Sequence, residues 1–205
     1  MSYITKGKKL IKEVKPNRFL RKFTNYLDFA DYLNYCDNKT KGDVSEEFWL
    51  RWFHYTPIVS NFVKIHNTND PKSKNLLDKW PELEVLKVGQ PNSALVDLLI
   101  EYEDDYDIVQ CKWYSEGLSF KDIGGFYLLT NQHLPNCRKK YLTTTAPRTS
   151  QLAQELGKMG KDVIVLHEDE FIVDFDIWDK IAKWKTGSKI VPTKWKWRTK
   201  REQES

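Results

Sequence analysis

Apolar residues recur along this chain with two different periods, and the switches between them mark out the elements. Phe23, Tyr26, Leu27, Ala30 and Leu33 fall at helical spacing, so Phe23 to Tyr35 is expected to form a short amphipathic helix. A second helix is expected from Lys41-Gly42-Asp43-Val44-Ser45-Glu46-Glu47-Phe48, with Asp43 as N-cap and Glu46 completing a capping box. Phe48, Trp49, Trp52 and Phe53 continue its apolar side until Pro57 breaks the run. Residues 67–75 are polar and predict a loop. Leu83 to Val88 alternates enough for a strand, and Gly89-Gln90-Pro91-Asn92 turns the chain into a hairpin from Leu95 to Tyr114. That hairpin is two runs of Val, Ile, Leu and aromatic residues around the acidic turn Glu103-Asp104-Asp105. Beyond Ser115-Glu116-Gly117 a helix is expected from about Ser119 to Asn131, packing through Phe120, Ile123, Phe126, Tyr127 and Leu128. Tyr141 to Thr145 predicts a β-branched strand, Thr149 to Lys158 a helix closed by Gly160, Asp162 to Leu166 a buried strand, and Phe175 to Trp184 a last helix.

An antiparallel hairpin followed by strands joined through helices predicts an α/β fold, a mixed sheet flanked by helices on both faces. Alternation within the hairpin puts Asp97, Leu99 and Glu101 on one side of the first strand, and Ile108, Gln110 and Lys112 on one side of the second. A two-residue loop at Glu103-Asp104 sets Asp97 opposite Gln110, and one at Asp104-Asp105 sets it opposite Lys112. Either register brings a carboxylate, an amide oxygen and an ammonium together where an apolar strand surface is expected. Each such group left unpaired and buried costs about 1–3 kcal/mol. A hard divalent cation would account for them: Asp97 offers an anionic oxygen, Gln110 its side-chain carbonyl and Cys111 its backbone carbonyl. Lys112 would orient a water or stabilise charge on a phosphate. An Asp–Lys cross-strand pair on a solvated face, with Gln110 as bystander, fits the same spacing.

Length and composition narrow the setting. The 205 residues suit one domain with an extension, and 33 basic against 29 acidic side chains leave a net charge of +4. Three scattered cysteines without a Cys-x-x-Cys, and four histidines without ligand spacing, suit a reducing interior without disulfides or zinc. No apolar run approaches the ~20 residues of a membrane span, and the N-terminus is too polar for a signal peptide. An intracellular protein with no membrane partner is expected. Basic residues concentrate at the two ends. Residues 1–22 hold Lys6, Lys8, Lys9, Lys12, Lys15, Arg18, Arg21 and Lys22 against Glu13 alone. From Lys180 to Arg201 basic residues are interleaved with Trp184, Trp195 and Trp197 and no carboxylate, a composition suited to phosphates and stacked bases. Solvated arms tucked onto the fold are the plainer alternative.

Taken together, Lys-Gly-Asp-Val-x-Glu-Glu-Phe on a helix, Val-Asp-Leu-Leu-Ile on a strand and Asp-Ile-Val-Gln-Cys-Lys-Trp on the next carry a family pattern, followed by a helix and a Leu-Thr-Thr-Thr strand. It resembles the Mrr-like branch of the PD-(D/E)XK restriction-endonuclease superfamily, as in nuclease domains fused to helicases in large DNA viruses and some bacterial restriction enzymes. The likeness runs from about residue 24 to residue 182. It implies a restriction-endonuclease-like fold, with a basic arm and short helix over 1–40, the nuclease core over 41–182 and a basic Trp-containing tail over 183–205. It also implies a Mg2+-dependent endodeoxyribonuclease, with Mn2+ substituting, in which Glu46, Asp97, Gln110 and Lys112 are catalytic. Asp97, Gln110, Glu46 and the Cys111 carbonyl would be metal ligands. Gln110-x-Lys112 stands for the Gln-x-Lys of this branch, Leu95-Val96 replaces its usual Gly-Ile, and Glu47 is an adjacent rival to Glu46. Expected DNA contacts are Lys121, Arg148, Thr149, Lys194, Lys196 and Arg198. A homodimer and a helicase are candidate partners, and the expected location is the cytoplasm or the site of viral or host DNA. An inactive DNA-binding module of the same fold, or an interaction domain docking its basic ends on RNA or an acidic protein, would share these features.

Overall fold

A computed structural model describes residues 19–90, 95–114, 118–134, 136–146, 163–167 and 175–184. The expected helix Thr149–Lys158, the Pro91-Asn92 turn and most of both basic ends lie outside the described residues. The chain is a mixed α/β protein that divides into two compact units: residues 1–60 with 169–205, and residues 61–168.

The first unit is helical and aromatic. A 3-10 turn at Leu20–Lys22 leads to α1 at Tyr26–Asn34, then α2 at Asn38–Tyr55, with a later helix, Phe175–Lys183 (α5), completing the unit. Asn25 caps α1, its side chain accepting from the Asp28 amide at 2.8 Å. Tyr26, Phe29, Ala30 and Leu33 point inward at the expected i, i+3, i+4, i+7 spacing, but Leu27 is 74% exposed and Phe29 takes the place expected of it. The start of α2 departs further from expectation. Asp43 is not its N-cap; Asp37 is, accepting from the Thr40 amide at 3.0 Å and its hydroxyl at 2.8 Å. An Asp with two local donors outcompetes the Gly42-Asp43 boundary, and the helix carries Gly42 at a cost of about 1 kcal/mol. Arg51 is fully buried on α2, paired to Glu47 at 2.6 Å and donating to the Ile181 carbonyl on α5 at 2.7 Å. Trp178 of α5 lies 5.2 Å from the Phe29 ring and donates its indole N–H to the Phe23 carbonyl.

The second unit is built on a five-stranded sheet in the order β1-β2-β3-β4-β5. The strands are Lys64–Asn67, Leu98–Glu101, Tyr106–Lys112, Cys137–Thr144 and Val163–His167. β1, β2 and β3 pair antiparallel, while β3, β4 and β5 pair parallel, so the sheet is mixed as expected. The helix Phe120–His133 (α4) carries the chain from β3 to β4. Two segments trade roles relative to the sequence reading. Leu83–Val88 is not a strand: Pro81–Leu86 is a 3-10 helix that puts Leu83 and Leu86, three residues apart, into the core. Pro81 has no amide to lend a sheet and sits at the first helical position, where none is needed. The missing strand is β1, four residues in a polar stretch and at the sheet edge, too short to show alternation. Gly89, at φ +78°, closes this segment; a Cβ there would stand 2.8 Å from Lys74. Leu76 of the short helix Leu76–Lys79 (α3) packs with Trp80, Leu83, Leu86 and Val88, with Phe126 of α4 and with Leu134 just past its end, over Leu99, Tyr106 and Ile108.

Candidate metal and phosphate site

The hairpin turns through Glu103-Asp104, since Glu101 pairs with Tyr106 and Leu98 with Val109. This is the first of the two expected loops; the regular ladder ends at Leu98–Val109, and Asp97 steps out of it, its amide returning to that same Val109. The Asp97 backbone is fastened on both sides. Its amide donates to the Val109 carbonyl at 2.9 Å, and its carbonyl accepts from the Thr68 amide at 3.0 Å and the Thr68 hydroxyl at 3.1 Å. Two residues earlier Leu95 takes a left-handed φ of +68°, which costs a branched residue about 1–2 kcal/mol. The helix across from it makes room: a Cβ on Gly125 would meet the Leu95 methyl groups at 3.1 and 3.4 Å. A glycine would adopt that φ freely.

The Asp97 and Gln110 side chains nonetheless meet. One Asp97 carboxylate oxygen accepts from the Cys111 amide at 2.6 Å and from the Gln110 amide nitrogen at 3.4 Å. Burial pushes the Asp97 carboxyl above its ordinary range, against the Cys111 amide, the Lys112 charge and the Gln110 bond, which favour the anion. Gln110 is 4% exposed, and its side-chain oxygen is buried without a hydrogen-bond partner. The Lys112 carbonyl accepts from the Thr145 amide on the β4 side, so alternation turns the neighbouring Cys111 carbonyl towards Asp97.

Asp122, which the sequence reading passed over, completes the group. It stands in the first turn of α4, where its carboxylate accepts from the Ser119 amide at 2.8 Å and the Ser119 hydroxyl at 2.7 Å. The Ser119 bonds hold its carboxyl below the ordinary range, and the charges of Lys112 and Lys121 add to this. The Lys112 charge thus acts on both carboxylates, Asp97 and Asp122. The signal was legible as Ser119-x-x-Asp122 at the head of a helix, a capping-box spacing.

Other expected site residues fall elsewhere. Glu46 is part-buried on α2 in the first unit, whereas Asp97, Gln110, Cys111 and Lys112 belong to the second. Its rival Glu47 is committed to buried Arg51. Lys121 is exposed in the first turn of α4, while Arg148, Thr149, Lys194, Lys196 and Arg198 lie outside the described residues. Among the described residues no three His, Cys, Asp or Glu side chains cluster as a ligand set, and no helix is long and apolar enough to cross a membrane.

The donors that do meet are all oxygens: a buried carboxylate, an amide oxygen lacking a partner, and a backbone carbonyl turned to the same side. That set fits a hard divalent cation. In comparisons with protein-family models, curated proteins and solved structures, nothing matched the chain.

Proposed function

We propose that the chain is a Mg2+-dependent DNA endonuclease of the Mrr-like PD-(D/E)XK type, hydrolysing phosphodiester bonds. The observation that carries the reading is the buried, unpartnered oxygen of Gln110 beside the desolvated Asp97 carboxylate. A partnerless buried amide oxygen costs about 1–3 kcal/mol, and a cation held between the two groups would remove that cost. Asp97, Gln110 and the Cys111 carbonyl would hold Mg2+ or Mn2+. The ion would supply Lewis acidity at the phosphate and an acidified water.

The remaining work belongs to the chain. The Asp97 carboxylate must be ionised to serve, which its Cys111 and Gln110 bonds and the Lys112 charge favour. Lys112 would steer the attacking water and offset charge on the phosphate oxygens, and Lys121 on the exposed side of α4 would contact the backbone. Support also comes from the Gln110 amide bond to the Asp97 carboxylate and from the mixed α/β sheet. DNA as substrate implies work in the cytoplasm or at viral or host DNA.

Incubating purified protein with plasmid and linear DNA tests the reading. Nicking or cutting should require Mg2+ or Mn2+, and Asp97→Ala and Lys112→Ala should each slow it by about a hundred-fold or more. Metal-independent DNA binding without cleavage would instead mark a non-catalytic module of the same fold.

A further inference from the structure

The two units divide the charge unequally. The first carries 20 Lys and Arg against 14 Asp and Glu, the second 13 against 15, so a net +6 faces a net −2. A cation site suits the acidic unit and a polyanion suits the basic one.

Within the first unit an open cleft of about 510 Å3 is lined by Arg21, Phe23, Thr24, Trp178, Asp179, Ala182 and Lys183. Its volume lies in the range of about 300–1,000 Å3 usual for small-ligand sites. The walls are aromatic and fixed. Trp178 is held by its indole bond to the Phe23 carbonyl at 2.9 Å, and Phe23 packs against Phe19, Phe29 and Tyr32 with ring centroids 5.2 to 5.8 Å apart. Cations stand on the rim. Arg21 is steered by the Trp184 carbonyl at 3.0 Å and has no carboxylate partner among the described residues. Lys183 is 76% exposed and balanced by Asp179 at 2.7 Å. Thr24, exposed, adds a hydroxyl able to donate or accept.

The geometry points to a seat for one nucleobase of single-stranded DNA, the base against the half-buried Phe23 ring, which buried Trp178 backs, and the adjoining phosphate on Arg21. Charge selects the occupant: a neutral apolar ligand would leave the Arg21 guanidinium idle, and a cation would meet it unfavourably. A base stacked on an aromatic wall with its phosphate on a guanidinium uses both features. A paired base presents neither face, so the seat takes an unpaired strand in preference to duplex. This inference rests on the nucleic-acid reading above and concerns binding alone.

It is tested in EDTA, where cleavage plays no part, by fluorescence anisotropy with a labelled oligothymidylate, its abasic counterpart and a duplex. The full-length protein should bind the oligothymidylate more tightly than the abasic strand. Phe23→Leu, which keeps apolar bulk but removes the ring, should weaken binding about tenfold. Arg21→Gln should weaken it and lower the slope of log affinity against log salt by about 0.7. If Phe23→Leu loses the native circular dichroism, Thr24→Trp, which plugs the cleft, serves instead and should weaken binding similarly. Equal affinity for the abasic strand, or unchanged affinity in folded Arg21→Gln and Thr24→Trp, overturns the proposal. A protein that binds in this manner but never cuts DNA would sink the nuclease reading and leave this one standing.

Discussion

Burial and charge pull Asp97 in opposite directions. Burial, the largest influence, raises its carboxyl, so the fold tolerates the protonated form better than the unfolded chain does. The stability this provides is fully present below about pH 3.9, the unfolded value, and is lost as pH rises through the raised native value. Asp97→Asn should therefore raise the melting temperature at neutral pH and flatten, without abolishing, the loss of stability with pH. Buried Asp107, also raised chiefly by desolvation, contributes a slope of the same sign that the variant keeps. On the proposed function, Mg2+ should raise the melting temperature of the wild type and leave that of Asp97→Asn unchanged. The Leu95–Gly125 contact yields a second test at this scale. Gly125→Val should push Leu95 from its seat, disturb Asp97 and weaken Mn2+ binding by about tenfold, as disturbance of a metal site's supporting groups commonly does. Leu95→Gly keeps the left-handed backbone and removes the obstructing methyls, so the double variant should recover Mn2+ affinity in calorimetry. Failure to recover would mean that the Gly125 side chain acts on something other than Leu95.

At the scale of elements, Arg51 ties α2 to α5. Glu47→Ala removes the carboxylate beside the buried Arg51 guanidinium, a change expected to cost about 3 kcal/mol in denaturant unfolding. Glu47→Gln keeps an acceptor oxygen for that guanidinium and should cost less. Equal losses of stability in both variants would mean that the charge alone holds the contact. The hairpin β2–β3 was legible in its two runs and its acidic turn, but two registers stayed open until the pairing of Glu101 with Tyr106 decided between them. Its anchoring to β4 was not. Asp107 sits where the β3–β4 register slips, accepting from the Tyr102 hydroxyl at 2.8 Å and the Lys139 amide at 3.0 Å. Arg138 lies 4.1 Å above the Tyr102 ring and 3.4 Å from Asp105. Those partners are distant in sequence, and no local period announces them.

For the whole molecule, the pattern of apolar residues captured the mixed sheet and most helices, since strongly periodic segments dominate their own conformation. It misplaced the first strand, where a short polar edge competed with an apolar run that Pro81 and its three-residue spacing turned into 3-10 helix. The approach of Gln110 to Asp97 was legible because both belong to one hairpin. Asp122 escaped because the crossover helix, not the hairpin, delivers it.

The discontinuity of the first unit bears on how the protein is made. Residues 61–168 form an unbroken stretch, whereas α2 waits for α5, which supplies Trp178 to the aromatic cluster and the Ile181 carbonyl to Arg51. During synthesis the sheet can therefore complete itself while the amino-terminal helices are still awaiting their partner. A ribosome-stalled nascent chain with residues 1–168 clear of the exit tunnel should resist protease across the sheet but be cut within α1 and α2, and extension to clear residue 184 should close those sites.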